Sequence, residues 1–363
     1  MLGKKDILGI DIGANVVKVL EMKASGKKIS VINYAEEVLE AIALEEKAPE
    51  ERKKMYVSAL KKIVKNNKFA TKNAAISVSG SSVIVRFVKF PKMSASELEK
   101  TLQFEAEPHI PFDIQEVYMD TQVIGDVEED DQTKMETVLV ASKKTTIDEK
   151  IDIIEKAGFK PAVIDVDAFA LQNAYESINR VSSEELVLLI NIGASITNIC
   201  ILDNGISKVV RDLYTAGNSF TRAIQEEMQN SAEQAEDIKI KYGLIGDKSM
   251  QDDEDESKGL EVYNILQPVV KELNSEIQRS LDYFMGQQAA SDINVNKIVL
   301  SGGSANMKGL PEMISSDLNI PVEIFRPLEN AEVASSSEVN IMSPSLAVVA
   351  GLALRKIGDS KRK

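Results

Sequence analysis

The sequence predicts an α/β fold of two duplicated lobes, and three observations carry that expectation. A strand–glycine turn–strand unit occurs twice, strand-like and helix-like periods alternate around the copies, and 363 residues exceed what one small core organises. The first copy reads Ile10-Asp11-Ile12-Gly13-Ala14-Asn15-Val16-Val17-Lys18-Val19. The second reads Ile190-Asn191-Ile192-Gly193-Ala194-Ser195-Ile196-Thr197-Asn198-Ile199. Each follows an apolar β-branched run and leads into another. One Asp-Ile-Gly after a strand is ordinarily a turn. Two copies with matched flanks, far apart in sequence, argue for an internal duplication.

The elements follow in order. After the first hairpin, 27–38 alternates as a strand, and 49–66 places Met55, Val57, Leu60, Ile63 and Val64 on one side of a helix. Strands are expected at 73–79 and 82–90. Residues 94–106 read as a helix opened by a capping box, Ser94 with Glu97. Strand-like runs at 117–124 and 137–141 flank the acidic loop 128–131, read as a solvated turn. A helix at 143–157 ends at Gly158, a strand at 163–167 returns to the first lobe, and a helix covers 168–178. After the second hairpin, 217–288 is mostly helical, interrupted by a flexible acidic stretch at 251–258. A strand at 297–300, the turn Ser301-Gly302-Gly303-Ser304, a helix at 308–317 and a helical tail at 345–356 complete the chain. The expected divisions are a first-lobe core (1–84), an inserted α+β subdomain (85–162) and a return to the first lobe (163–185). A second-lobe core (186–216), a helical insertion (217–290) and a second-lobe completion (291–363) follow.

The hairpins suit phosphate. Glycine lets backbone N–H groups converge on an anion, hydroxyl and amide side chains add donors, and Asp11 can hold the water shell of a magnesium ion. Lys18, on the strand leaving the first turn, lies within reach of a phosphate there. Asp165 and Asp167, at a strand–helix junction, are either helix caps or an acid that orients an attacking water. Glu236 and Lys239 lie on a helical face able to meet ribose and base, and Gly302-Gly303 follows a strand where a backbone can approach a nucleotide.

Composition narrows the classes. The balance of 57 acidic to 43 basic residues argues against nucleic acid as a partner. The single histidine, His109, sits between prolines, and the single cysteine, Cys200, lies in an apolar strand; histidine catalysis and cysteine metal sites are thereby excluded. No signal peptide is visible, and the longest apolar run, 186–202, is too short and polar to span a bilayer, so a cytoplasmic protein without direct membrane insertion is expected.

Together these residues resemble the actin/Hsp70-like nucleotide-binding superfamily, whose fold is ribonuclease H-like. Within it the chain is similar to the PilM family of type IV pilus assembly proteins. The similarity runs through Gly9-Ile10-Asp11-Ile12-Gly13, then Phe104-Glu105-Ala106-Glu107 with Ile110-Pro111-Phe112, and the run from Asp165 to Ala174. It continues with Asn191-Ile192-Gly193-Ala194-Ser195, Ala235-Glu236 to Gly243, and Ser301-Gly302-Gly303. FtsA shares the architecture. The resemblance implies an actin-like bilobed fold with ATP and Mg2+ in the interlobe cleft. It implies that Asp11, Gly13, Ala14, Asn15 and Lys18 form one phosphate hairpin, with Asp11 holding the metal through water. Asn191, Gly193, Ala194, Ser195 and Thr197 would form the other. Gly217, Glu236, Lys239, Gly302, Gly303 and Asn306 would line the adenosine, and Asp165 would stand near the attacking water. The implied partners are the cytoplasmic N-terminal peptide of a PilN-like membrane protein, in a groove bordering 85–118, and other pilus platform proteins. A homo-oligomer is also compatible, and the location is peripheral at the inner membrane. The machinery is that of the type IV pilus or of related type II secretion; the alternatives are an FtsA-like filament-forming membrane-associated ATPase or a small-molecule kinase. One departure matters: relatives open the second hairpin with an aspartate, where this chain has Asn191. An amide brings no charge to a metal's water shell, so slow or absent hydrolysis is expected, with ATP acting as a conformational ligand.

Overall fold

The β-branched runs around each glycine turn fold as antiparallel hairpins. Each hairpin then extends into a mixed sheet of the same plan. The computed structural model describes residues 7–25, 28–39, 47–129, 131–178, 185–245, 253–287, 294–334 and 339–358. In the first lobe β1 (Leu8–Ile12), β2 (Val16–Ser25), β3 (Lys28–Val38), β4 (Asn73–Val78) and β8 (Lys160–Val166) lie in the order β3-β2-β1-β4-β8. In the second, β9 (Leu186–Ile192), β10 (Thr197–Asp203), β11 (Ile206–Leu213), β12 (Lys297–Ser301) and β13 (Val322–Ile324) lie in the order β11-β10-β9-β12-β13. The first three strands of each are antiparallel and the last two join in parallel. The duplication visible in two motifs is therefore a duplication of whole sheets, and the fold is actin-like.

Both sheets are covered on both faces, which explains why β9 is apolar nearly throughout. Leu188, Ile190 and Ile192 pack under the second lobe's helices, while Val187 and Leu189 face the core between the lobes. That inner core is built on α4 (Asp167–Ile178) and the C-terminal helix α9 (Ala347–Ala353), sandwiched between the sheets. On the first lobe's outer face, α1 (Pro49–Asn66) buries Ala59, Leu60 and Ile63, the last two each worth about 1.5–3 kcal/mol of transfer free energy. The second lobe's helical block consists of α5 (Gly217–Met228), α6 (Ala232–Tyr242) and α7 (Asp253–Met285). Of the acidic stretch expected at 251–258, residues 251 and 252 lie outside the described residues; the rest is helix.

Several boundaries move. The insertion is a sheet of order β5-β7-β6 made by β5 (Val83–Pro91), β6 (Val117–Glu129) and β7 (Gln132–Lys143), carrying α2 (Ala95–Ala106). The expected capping box opens α2: Ser94 Oγ accepts from Glu97 N, and Glu97 Oε2 accepts from Ser94 N at 2.8 Å. The hairpin β6–β7 takes Glu128 and Glu129 of the expected acidic turn into its strands, and Lys134 and Lys89 both pair with Glu129 and hold its carboxyl down at about 2. Its helix α3 (Lys144–Lys156) does not belong to the insertion; Ile153 and Ile154 pack into the first lobe's core beside α1. The segment 291–363 also divides. β12, α8 (Leu310–Leu318) and β13 pack in the second lobe, whereas β14 (Glu332–Val333) pairs with β3 and α9 lies on β1 and α4 of the first.

Candidate functional site

The two hairpins close with the same local geometry. A Cβ on Gly13 would stand 2.8 Å from the Val16 carbonyl oxygen, and one on Gly193 would stand 2.8 Å from that of Ile196. Glycine is required at each by the turn's own closure. The next residue in each, Ala14 and Ala194, has an N–H with no acceptor among the described residues. Matched, unspent N–H groups at the tips of duplicated turns suit an anion.

In the first lobe, antiparallel pairing sets Asp11 opposite Lys18, and Lys18 Nζ lies 3.1 Å from Asp11 Oδ2 with both side chains largely buried. Two further charges join them. Lys150, on α3, donates to the Ile12 carbonyl at 3.4 Å. Burial lowers its pKa, opposed by the charges of Asp167 and Asp11. Asp167 is the first residue of α4; burial and then the charge of Asp11 raise its pKa, opposed by the nearby Ser77 and Ser79 hydroxyls and by Lys150. Four charged groups thus share one field beside the first turn. Lys150 was not among the sequence candidates, because a lysine in an amphipathic helix gives no signal of a contact 138 positions away.

Asp165 is placed elsewhere. Its buried carboxylate accepts from Arg355 Nη1 at 2.6 Å, from Asn173 Nδ2 at 3.4 Å and from the Val166 N–H. It ties α4 to the residues after α9, and its lone pairs are spent there.

In the second lobe, Gly217 N donates to the Gly193 carbonyl at 2.9 Å and Asn218 N to that of Ala194 at 2.7 Å, so the start of α5 holds the second turn. Asn218 Nδ2 also reaches Ser195 Oγ at 3.2 Å. Thr197, expected in the second phosphate hairpin, is fully buried and donates to the Thr215 carbonyl at 2.8 Å, which braces that hairpin. Glu236 and Lys239 come together beside Gly217. Lys239 Nζ lies 2.7 Å from Glu236 Oε2, 2.9 Å from Thr221 Oγ1 and 3.3 Å from the Gly217 carbonyl. Burial lowers the Lys239 pKa and Glu236 opposes that. Ser304 Oγ approaches the Gly193 carbonyl at 3.5 Å; Gly303 and Asn306 of the same turn are exposed, and a Cβ on Gly303 would meet open space. Gly302, at φ +92°, lies tight against the Ile192 backbone. Cys200 is a buried core thiol, pushed up to about 12 by burial.

Asn191 takes part in a side-chain ladder. Its Nδ2 donates to Asn198 Oδ1 at 3.0 Å, Asn198 Nδ2 donates to Asp212 Oδ1 at 2.8 Å, and Asp212 Oδ2 accepts the Gly80 N–H of the first lobe at 2.6 Å. These residues stand opposite one another across β9, β10 and β11. An aspartate at 191 would turn an acceptor toward Asn198 Oδ1. Asn191→Asp is therefore expected to cost about 1–3 kcal/mol, read as a lowered urea midpoint; unchanged stability would show the ladder to be dispensable.

Among the described residues no cluster of three or more His, Cys, Asp or Glu side chains is arranged to hold a metal directly. Among the described residues no helix is long and apolar enough to cross a membrane.

A family model described as type IV pilus assembly protein PilM matches residues 9–357. Curated relatives include cell division protein FtsA of Buchnera aphidicola, 27% identical over 56% of this chain and 51% of that protein. FtsA of Helicobacter pylori is 22% identical over 66% and 51%. The chain spans about half the length of these relatives. Among solved structures, a PilM-PilN type IV pilus biogenesis complex matches with a TM-score of 0.80 at 24% identity, covering 97% of this chain and 99% of that one. MreB 5 of Spiroplasma citri bound to AMPPNP matches at 0.53 and 13% identity, over 96% and 95%.

Proposed function

The chain belongs to the PilM family of type IV pilus assembly proteins, and from that premise we propose that its actin-like scaffold binds ATP with Mg2+ between the two hairpins. The observation that carries this is the pair of unspent N–H groups at Ala14 and Ala194, on turns of one geometry in two duplicated sheets. Asp11 and Lys150 would set the field at the first turn, with Lys18 neutralising Asp11 when no cation is present. Gly217, Glu236, Lys239 and Gly303 would line the adenosine. A bound cation would screen the triphosphate charge.

We assign the acid nearest the reacting phosphate to Asp167, since Asp165 is consumed by Arg355 while Asp167 shares the field of Asp11. Asn191 brings no charge and is held in the ladder to Gly80, so the nucleotide acts as a conformational ligand with slow hydrolysis. Turnover of several per second would overturn that part.

The partner we propose is the cytoplasmic N-terminal peptide of a PilN-like membrane protein, which keeps the protein at the cytoplasmic face of the inner membrane among other platform proteins. Phe104, 79% exposed on α2 of the insertion, supports a docking groove there, because a phenylalanine so placed gains most by being covered. Titration of a peptide from the neighbouring membrane protein, with and without Mg-ATP, tests both halves. Phe104→Ala is expected to weaken the peptide about tenfold or more and to leave ATP affinity unchanged. Peptide affinity indifferent to both the substitution and the nucleotide would refute the groove and the switch together.

A further inference from the structure

The first-lobe sheet has two ends. One carries the phosphate hairpin; the other is formed by the start of β4 and β8, the far part of β2, and the connection 67–72 that follows α1. That connection is sewn down at three places. Asn33 Nδ2 donates to the Lys68 carbonyl at 3.0 Å, the Ala70 N–H donates to Glu21 Oε2 at 3.2 Å, and Lys160 N donates to the Lys72 carbonyl at 2.7 Å. Lys68, Lys72 and Lys160 are thereby gathered at one end of the sheet, with Lys65 on the last turn of α1 and Lys23 on β2 two residues beyond Glu21.

All five lysines are exposed, and none has a carboxylate partner among the described residues. The acid under the connection, Glu21, is only 3% exposed and offers its charge to the backbone. Lys61, one turn before Lys65, extends the charge up the solvent face of α1. The concentration is out of keeping with the rest of the chain. Residues 61–72 hold five basic side chains and no acidic one, in a protein of net charge −14.

We propose that this end of the first lobe docks on an anionic phospholipid surface. The charge distribution favours a plane over other polyanions. A flat surface can approach the lysine-rich end while most of the acidic side chains stay in solvent, whereas a nucleic acid long enough to neutralise the cluster would run into the acidic remainder. The cluster is made of lysines on flexible stems with no exposed aromatic side chain among them. That is suited to diffuse attraction to headgroups and unsuited to a pocket for one peptide side chain. The contact is electrostatic adsorption, with no inserted segment. It rests on the proposed placement beside a membrane protein only in giving that placement a second point of contact.

The test is co-sedimentation of the full chain with vesicles of phosphatidylcholine alone or with about one-third phosphatidylglycerol, at low and high salt. Binding is expected only to the anionic vesicles, and it should be lost at roughly 0.5 M salt. The variant Lys65→Glu, Lys68→Glu, Lys72→Glu should bind about tenfold more weakly or worse. A control carrying the same charge change elsewhere, Lys100→Glu, Lys258→Glu, Lys271→Glu, should bind as the parent does. Urea midpoints of both variants check that each is folded, and peptide titration checks that the partner groove is intact. Equal binding to neutral vesicles, no binding to either, or equal losses in the two variants would overturn the proposal. Binding of soluble polyglutamate that is sensitive to the cluster, with none to vesicles, would assign this end to an acidic protein and likewise overturn it. None of these outcomes bears on the ATP site.

Discussion

Gly351→Ala should be strongly destabilising. A Cβ at 351 would stand 1.7 Å from the Ala170 carbonyl oxygen, backbone against backbone, where nothing can rotate away. α9 would have to retreat from α4 by more than an ångström, opening the inner core that Leu171, Ala174, Val349 and Ala350 share. Overpacking of this kind, with the contacts it forfeits, costs about 3 kcal/mol or more. The effect should reach the site, because Gly9 of β1 also lies against α9, where a Cβ would stand 2.3 Å from the Val349 carbonyl oxygen, and β1 leads into the first hairpin. A lowered urea midpoint together with weakened ATP binding is the expected pair of results. Gly125→Ala, where a Cβ meets nothing within 4 Å, serves as the control and should change stability by less than about 0.5 kcal/mol. Equal midpoints for the two variants would mean that α9 is not part of the cooperative core.

Gly217→Val carries the second large effect, on nucleotide affinity. Gly217 stands where α5 meets the second hairpin: its Cβ would lie 2.7 Å from Ser304 Oγ, 3.0 Å from the Gly193 carbonyl oxygen and 3.4 Å from Ala194 Cα. The serine can rotate; the turn cannot. Valine there pushes the hairpin away from α5 and removes the bond from Gly217 N to Gly193 that holds its tip. If the two tips close on one triphosphate, ATP affinity should fall about a hundredfold, since misplaced donors on one side lose charge-assisted bonds to phosphate. The stabilisation of the variant by Mg-ATP in a thermal melt should vanish with it. Peptide capture at the insertion, in the other lobe, should persist. An undiminished response to ATP would sink the two-hairpin clamp.

The site was half legible for a definable reason. The hairpins were readable because their chemistry is local: a glycine with a carbonyl three residues on, and a lysine seven residues from its aspartate across the same turn. Asn191 and Asn198 were both visible, but their hydrogen bond matters through Asp212 and then Gly80, which only the packing of one lobe on the other brings together. The choice between Asp165 and Asp167 was equally closed to sequence. The two are neighbours at a junction, and Arg355, partly buried and 190 positions away, pairs with the first.

What the chain itself determined is its periodicity: two copies of one hairpin, strands and helices in alternation, an insertion with its capping box, and a single cysteine and histidine that rule out their usual chemistry. What only the tertiary structure decided is ownership. α3 and α9, read as parts of the insertion and the second lobe, both belong to the first, and Lys150 joins the first hairpin from a helix that gives no local sign of it. Secondary structure follows from side chains a few residues apart. The lobe against which an apolar face is buried follows from surface matched across the whole chain, which no local period encodes.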